Sequence, residues 1–172
     1  MSGMTKITQL KPAAEAVEGF APPVVAVDHE ELLASDDPQI AANKRFCYDM
    51  YRTVLQAGRA DRVRDFIADD YIQHNPNAAS GAAALEEFVR NSRPEREIEP
   101  TISLPLVSIM AERDMVTFVF VRREENEETG TYYTSWFDTF RLENGKIAEH
   151  WDPALCTPQM ARIDPNSKRL EQ

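Results

Sequence analysis

The run Glu143-Asn144-Gly145-Lys146 constrains this chain more than any other. Asn-Gly between two segments rich in aromatic and β-branched residues marks a tight β-hairpin, here joining 131–143 (TYYTSWFDTFRLE) to 146–152 (KIAEHWD) before Pro153. The turn can be built in two ways with opposite consequences. A two-residue primed turn pairs Glu143 with Lys146 and sets Asp138 opposite Trp151 and Thr139 opposite His150. A three-residue loop with Gly145 left-handed in a bulge pairs Leu142 with Lys146 and sets Asp138 opposite His150, Trp136 opposite Asp152 and Phe140 opposite Ala148. One residue of slip exchanges the two faces. The second register is favoured here because it gathers Asp138, His150 and Asp152 with Trp136 and Phe140 on one concave side, leaving Phe137, Thr139 and Arg141 on the other.

Upstream, the period changes at Pro100. Beyond it lie four strand segments, "TISLPLVSIMAE", "MVTFVFVRRE", "TYYTSWFDTFRLE" and "KIAEHWD", whose short connections imply an antiparallel meander. Before it, Asp37 as N-cap and Pro38 open a helix whose apolar positions Ile40, Cys47, Met50, Tyr51, Val54 and Leu55 recur until Gly58. A second helix is expected through "RADRVRDFIADDY", on Val63, Phe66 and Ile67, and a third from near Ser80, on Leu85, Phe88 and Val89, up to Pro94. Helices followed by a curved antiparallel sheet make an α+β fold with the helices on one sheet face. Residues 1–37, rich in alanine and acidic residues and broken by prolines, read as a loosely ordered arm or one that packs on a neighbouring subunit. The folded domain is placed at 38–157 and a tail at 158–172.

Composition narrows the partners. With 19 basic against 29 acidic residues the net charge is −10, which argues against binding nucleic acid or an anionic membrane. No apolar run approaches ~18 residues and no basic stretch precedes an apolar block near the N-terminus, so a cytoplasmic protein is expected. Cys47 and Cys156 lack zinc or CxxC spacing and read as packing residues.

His150 between Asp138 and Asp152 has the make-up of a general acid/base group, with carboxylates orienting an imidazole. The bland alternative is a surface hairpin with ordinary polar residues. Tryptophan and phenylalanine on the same face favour a pocket, since ligand sites need apolar walls with few polar groups. Tyr132 and Thr134 share parity with Asp138 and are candidate lining residues, although simple packing also accounts for the tyrosine. His74, in the break "YIQHNP", is either functional or a turn residue. His74, His150 and Asp152 have the ligand types of a two-histidine, one-carboxylate metal set, but neither HxxxH nor HxH spacing occurs, so no metal is expected. There is no GxSxG and no phosphate-cradling glycine loop among the six glycines.

The helices, then "DDYIQHNP", then "FDTFRLENGKIAEHWDP" closing the last hairpin, resemble the SnoaL-like polyketide cyclase family of the nuclear transport factor 2-like superfamily over about residues 38–157. The resemblance implies a cone-shaped α+β barrel with a deep apolar pocket, a homodimer formed through sheets, and acid/base chemistry without a cofactor. It matches the cyclases' aspartate to Asp138. The histidine that cyclases carry on the preceding strand has no counterpart in "RREENEETGTYY". The expected function is a cofactor-independent lyase or isomerase, of aldol, retro-aldol or proton-transfer type, acting on a small aromatic or polyketide-like compound. Asp138 and His150 would move protons, His74 would orient a substrate oxygen and Asp152 would fix the imidazole. Tyr71, Asn75, Trp136, Phe140, Tyr132 and Thr134 would contact substrate. A non-catalytic small-ligand or interaction domain and a metal-assisted hydrolase or lyase are the alternatives.

Overall fold

The computed structural model describes residues 7–19, 21–128 and 130–153. Asp37 caps helix α2 (Pro38–Met50) as its sequence predicts, accepting from the backbone N–H groups of Gln39 (2.8 Å) and Ile40 (3.3 Å). The helix then widens into a π-turn at Tyr51–Gln56, and its inner side buries Cys47, Tyr48, Met50, Tyr51 and Val54. Burial raises the Cys47 thiol well above its ordinary pKa, which suits a packing role. Cys156 and the tail lie outside the described residues.

The second predicted helix is shorter than expected. One 3-10 turn (Ala60–Arg62) and helix α3 (Val63–Phe66) are followed at Ile67 by strand β3 (Ile67–Gln73). Tertiary pairing overrides the helical spacing, because β3 runs parallel to the last strand, β7 (Lys146–Trp151), and gives its N–H and C=O groups partners there. Helix α4 (Ala82–Ser92) follows the break at 74–80. Then β4 (Leu106–Glu112), β5 (Met115–Asn126), β6 (Gly130–Glu143) and β7 form the expected antiparallel meander, so the five strands stand in the order β3-β7-β6-β5-β4.

Part of the stretch read as an arm packs on the domain, and residues 1–6 lie outside the described residues. Strands β1 (Leu10–Pro12) and β2 (Val24–Ala26) pair, and helix α1 (His29–Leu33) puts Leu32 and Leu33 into the same core as Ala26. Tyr48 ties this region down, since its hydroxyl accepts from the Ile102 N–H (3.0 Å) and lies 2.7 Å from His29 Nδ1.

The favoured hairpin register is overturned. Asn144 (φ 51) and Gly145 (φ 75) are both left-handed, the two-residue primed turn, and Glu143 pairs with Lys146. The next pair is Leu142 with Ile147, but then Arg141 faces Glu149, leaving Ala148 as a one-residue bulge. The physical reason is Ile147, which is fully buried. The three-residue loop would have turned Lys146 inward and Ile147 outward. The bulge supplies the second change of parity: Phe140 faces His150, and the imidazole shares the inner side with Phe140 and Asp138.

Gly58 (φ 68) ends the first helical unit where the chain meets Pro94, whose carbonyl oxygen would lie 2.6 Å from an added Cβ. Both the left-handed backbone and this approach require glycine. Gly58→Ala is expected to destabilise the protein by more than about 1 kcal/mol in urea denaturation, and an unchanged midpoint would contradict this packing.

Candidate functional site

The inner face of the sheet and helix α4 enclose a cavity of about 850 Å³, walled by apolar side chains that include Leu55, Ile67, Leu85, Phe88, Phe120 and Trp136. Asp138 lies at its base, only 3 % exposed. A carboxylate at that depth needs donors, and three elements provide them. Tyr51 on the π-turn donates its hydroxyl to Oδ2, while Trp136 Nε1–H (3.1 Å) and His150 Nε2 (3.2 Å) both reach Oδ1. Tyr51 is itself enclosed by Phe118, Phe120 and Phe140. Burial, followed by the charge of Asp138, holds its hydroxyl well above the usual tyrosine pKa, so it is a fixed donor. The His150 ring stacks on Phe140, with centroids 4.6 Å apart and planes within 12°.

The break after β3 supplies the other side of the imidazole. Gln73 pairs in register with His150, and its amide nitrogen lies 2.9 Å from His150 Nδ1 and 3.2 Å from the Tyr71 hydroxyl. Two residues on, Asn75 donates its side-chain amide to Asp152 Oδ2 (2.8 Å). The second oxygen of Asp152, Oδ1, is buried without a hydrogen-bond partner and lies 3.8 Å from His150 Nδ1. Burial raises the Asp152 carboxyl above the ordinary aspartate range, with the Asn75 hydrogen bond and His150 opposing it and Asp138 adding to it.

A family model described as "SnoaL-like domain" matches residues 48–150, the stretch that holds Tyr51, Gln73, Asp138 and His150. The chain belongs to the SnoaL-like family. The chain is also similar to solved structures at low identity. A candidate polyketide cyclase from Acidithiobacillus ferrooxidans is 17 % identical, with TM-score 0.48 over 70 % of this chain and 90 % of that one. A Mycobacterium tuberculosis LEH-like epoxide hydrolase is 15 % identical, with TM-score 0.47 over 64 % and 80 %. A Xanthomonas campestris protein of unknown function with a cystatin-like fold is 21 % identical, with TM-score 0.48 over 69 % and 94 %. No curated protein matches the chain. Among the described residues no helix is long and apolar enough to cross a membrane.

Of the residues singled out in the sequence, this SnoaL-like domain brings Asp138, His150, Asp152, Trp136, Phe140, Tyr71 and Asn75 to one cavity. It does not bring His74. That ring lies on the opposite side of the sheet, stacked on Trp151 (4.4 Å between centroids) and donating from Nε2 to Glu149 (2.8 Å), which also accepts from Arg141 Nε (2.7 Å). Gln73, the last residue of β3, and Asn75 line the cavity, while His74 between them turns to Glu149 and Trp151. Tyr132 and Thr134 share the parity of Asp138 but lie beyond the cavity on the exposed part of β6, Tyr132 at 42 % exposure, opposite Glu124 and Arg122. Tyr51 and Gln73 were missed. Tyr51 carries a hydroxyl on a stripe destined for burial, which signals that a partner must exist. Gln73 has no such mark, because its place depends on the parallel pairing of β3 with β7.

Asp138, His150 and Asp152 present ligand atoms within 4.8 Å of one another. The surroundings fit a metal ion poorly. Tyr51, Trp136 and Gln73 direct hydrogens at the lone pairs an ion would use, and His74, which has the ligand type to complete such a set, lies across the sheet.

Asp152 yields a stability prediction. Its folded pKa lies above its unfolded value, so folding takes up a proton between the two, and stability falls as pH rises from the ordinary value through the raised one. Asp152→Asn keeps the oxygen that accepts from Asn75 and removes the charge. The variant is expected to melt at a higher temperature than the parent at pH 7, by about 2–4 °C per kcal/mol relieved. The gain should vanish below about pH 3.9, where an ordinary aspartate is also protonated. An equal or lower melting temperature at pH 7 would contradict the cost assigned to this burial.

Proposed function

We propose that this protein is a cofactor-independent acid/base enzyme, a lyase or isomerase that moves a proton on a small aromatic or polyketide-like compound held in the cavity. The observation that carries the reading is the Asp138–His150 pair at the base of an apolar chamber, the imidazole bridged between a buried carboxylate and a side-chain amide. Asp138 accepts at both oxygens and holds the ring. His150 Nδ1 is then the position for taking a proton from a carbon beside a carbonyl, or from a hydroxyl in a retro-aldol step, and for returning it. The resulting imidazolium would lie between Asp138 and the unpartnered Oδ1 of Asp152, so charge formed during reaction meets carboxylates already in place. From the sequence Asp138 is expected to share in moving protons. The geometry supports a narrower task for it, orienting the base, with Asp152 as the second carboxylate.

Support also comes from membership of a family that includes polyketide cyclases and isomerases. One observation favours a second reading, a ligand-binding domain without turnover: every nitrogen of the His150 ring already has a protein partner.

Deuterium exchange separates the two. Aromatic compounds bearing β-dicarbonyl groups, incubated with the protein in D₂O, are expected to gain deuterium at the carbon between the carbonyls. His150→Gln should lower that rate by roughly 10²- to 10⁴-fold, the usual worth of a general base. Compounds that bind but exchange no faster than in buffer would overturn the enzymatic reading in favour of the binding one.

A further inference from the structure

Gln73 lies outside every set of residues expected from the sequence, yet its amide has an orientation fixed by backbone. The Asn75 N–H donates to Gln73 Oε1 (3.0 Å), which leaves the NH₂ group to face the Tyr71 hydroxyl (3.2 Å) and His150 Nδ1 (2.9 Å). Reversing the amide would set its NH₂ against the Asn75 N–H, donor against donor. A nitrogen approached by an N–H must accept, so Nδ1 carries no hydrogen and the ring hydrogen resides on Nε2, directed at Asp138 Oδ1 (3.2 Å). Asn75 is fixed in the same way: its Oδ1 accepts from the Asn77 N–H (2.9 Å), so its NH₂ faces Asp152.

We propose that Gln73 is a positioning residue that selects the Nε2–H tautomer of His150, keeping Nδ1 bare while the ring is held by Asp138. The break Gln73-His74-Asn75 is then a folded template that dictates where the hydrogen on the imidazole resides. The assignment of a tautomer stands on hydrogen bonding alone; its consequence for turnover rests on the acid/base reading above. In that reading Gln73 steps aside when Nδ1 takes up a proton, and Asp152 Oδ1, 3.8 Å away and without a partner, receives the new N–H.

Long-range ¹H–¹⁵N spectra of the ¹⁵N-labelled protein test this directly, because the chain has only three histidines and His150→Gln assigns the third ring. The wild-type His150 is expected to show a bare Nδ1 and a protonated Nε2 at neutral pH. In Gln73→Leu, Asp138 still favours hydrogen on Nε2, so loss of the second constraint should appear as a measurable Nδ1–H fraction absent from the wild type, while His29 and His74 keep their signals as evidence of folding. Gln73→Glu keeps the acceptor for the Asn75 N–H but sets a carboxylate against Nδ1. It should place a hydrogen on Nδ1, where the wild-type ring has none, among the charged groups facing the ring, Asp138 and Asp152. A wild-type ring protonated at Nδ1, or a folded Gln73→Leu with an unchanged tautomer, would overturn the proposal. If the tautomer responds as expected but no substrate exchanges deuterium in the wild type, the positioning role stands and the acid/base function fails.

Discussion

Asp138 is the one charged residue buried among the described residues, and the inner architecture follows from the need to satisfy it. A carboxylate taken out of water loses several kcal/mol of solvation, which hydrogen bonds to a charged group return at about 1.5–3 kcal/mol each. Its donors come from the π-turn after α2, from β6 and from β7. A shift of any of these elements would leave the charge short of a partner. The π-turn is part of the same constraint, since Tyr51 at its start faces both the aromatic floor and the carboxylate.

The way β7 meets this need shows how far a sequence can be read. The hairpin, its two strands and the gathering of Asp138, His150 and Asp152 on one side were legible from aromatic and β-branched runs around Asn-Gly. The route was not. A three-residue loop reaches the same grouping, but at the cost of exposing Ile147 and turning Lys146 inward. Ile147 and His150 are three residues apart and cannot share a face of a regular strand. The Ala148 bulge lets them do so, and burial of Ile147 was the overlooked signal.

The break after β3 was only partly legible for a related reason. Histidine stands out because it titrates near neutrality, so "YIQHNP" directs attention to His74 as either a functional or a turn residue. The end of β3 instead gives the cavity its two neighbours, the amides Gln73 and Asn75, and leaves His74 to Glu149 and Trp151. Amides do not titrate, but two backbone N–H groups fix their orientation here and allow them to address an imidazole and a carboxylate as donors. The helix expected through Tyr71 failed on the same ground. A parallel partner 80 residues downstream, Ile147 for Ile67, is invisible to any local period.

The central claim is that Asp138 and His150 form one interacting unit in the protein interior. A double-mutant cycle in urea, with Asp138→Asn, His150→Gln and the combined variant, measures it most directly. Direct contact in a buried network predicts non-additivity of about 0.5–3 kcal/mol. Free energies that add to within about 0.3–0.5 kcal/mol, as for independent sites, would contradict it.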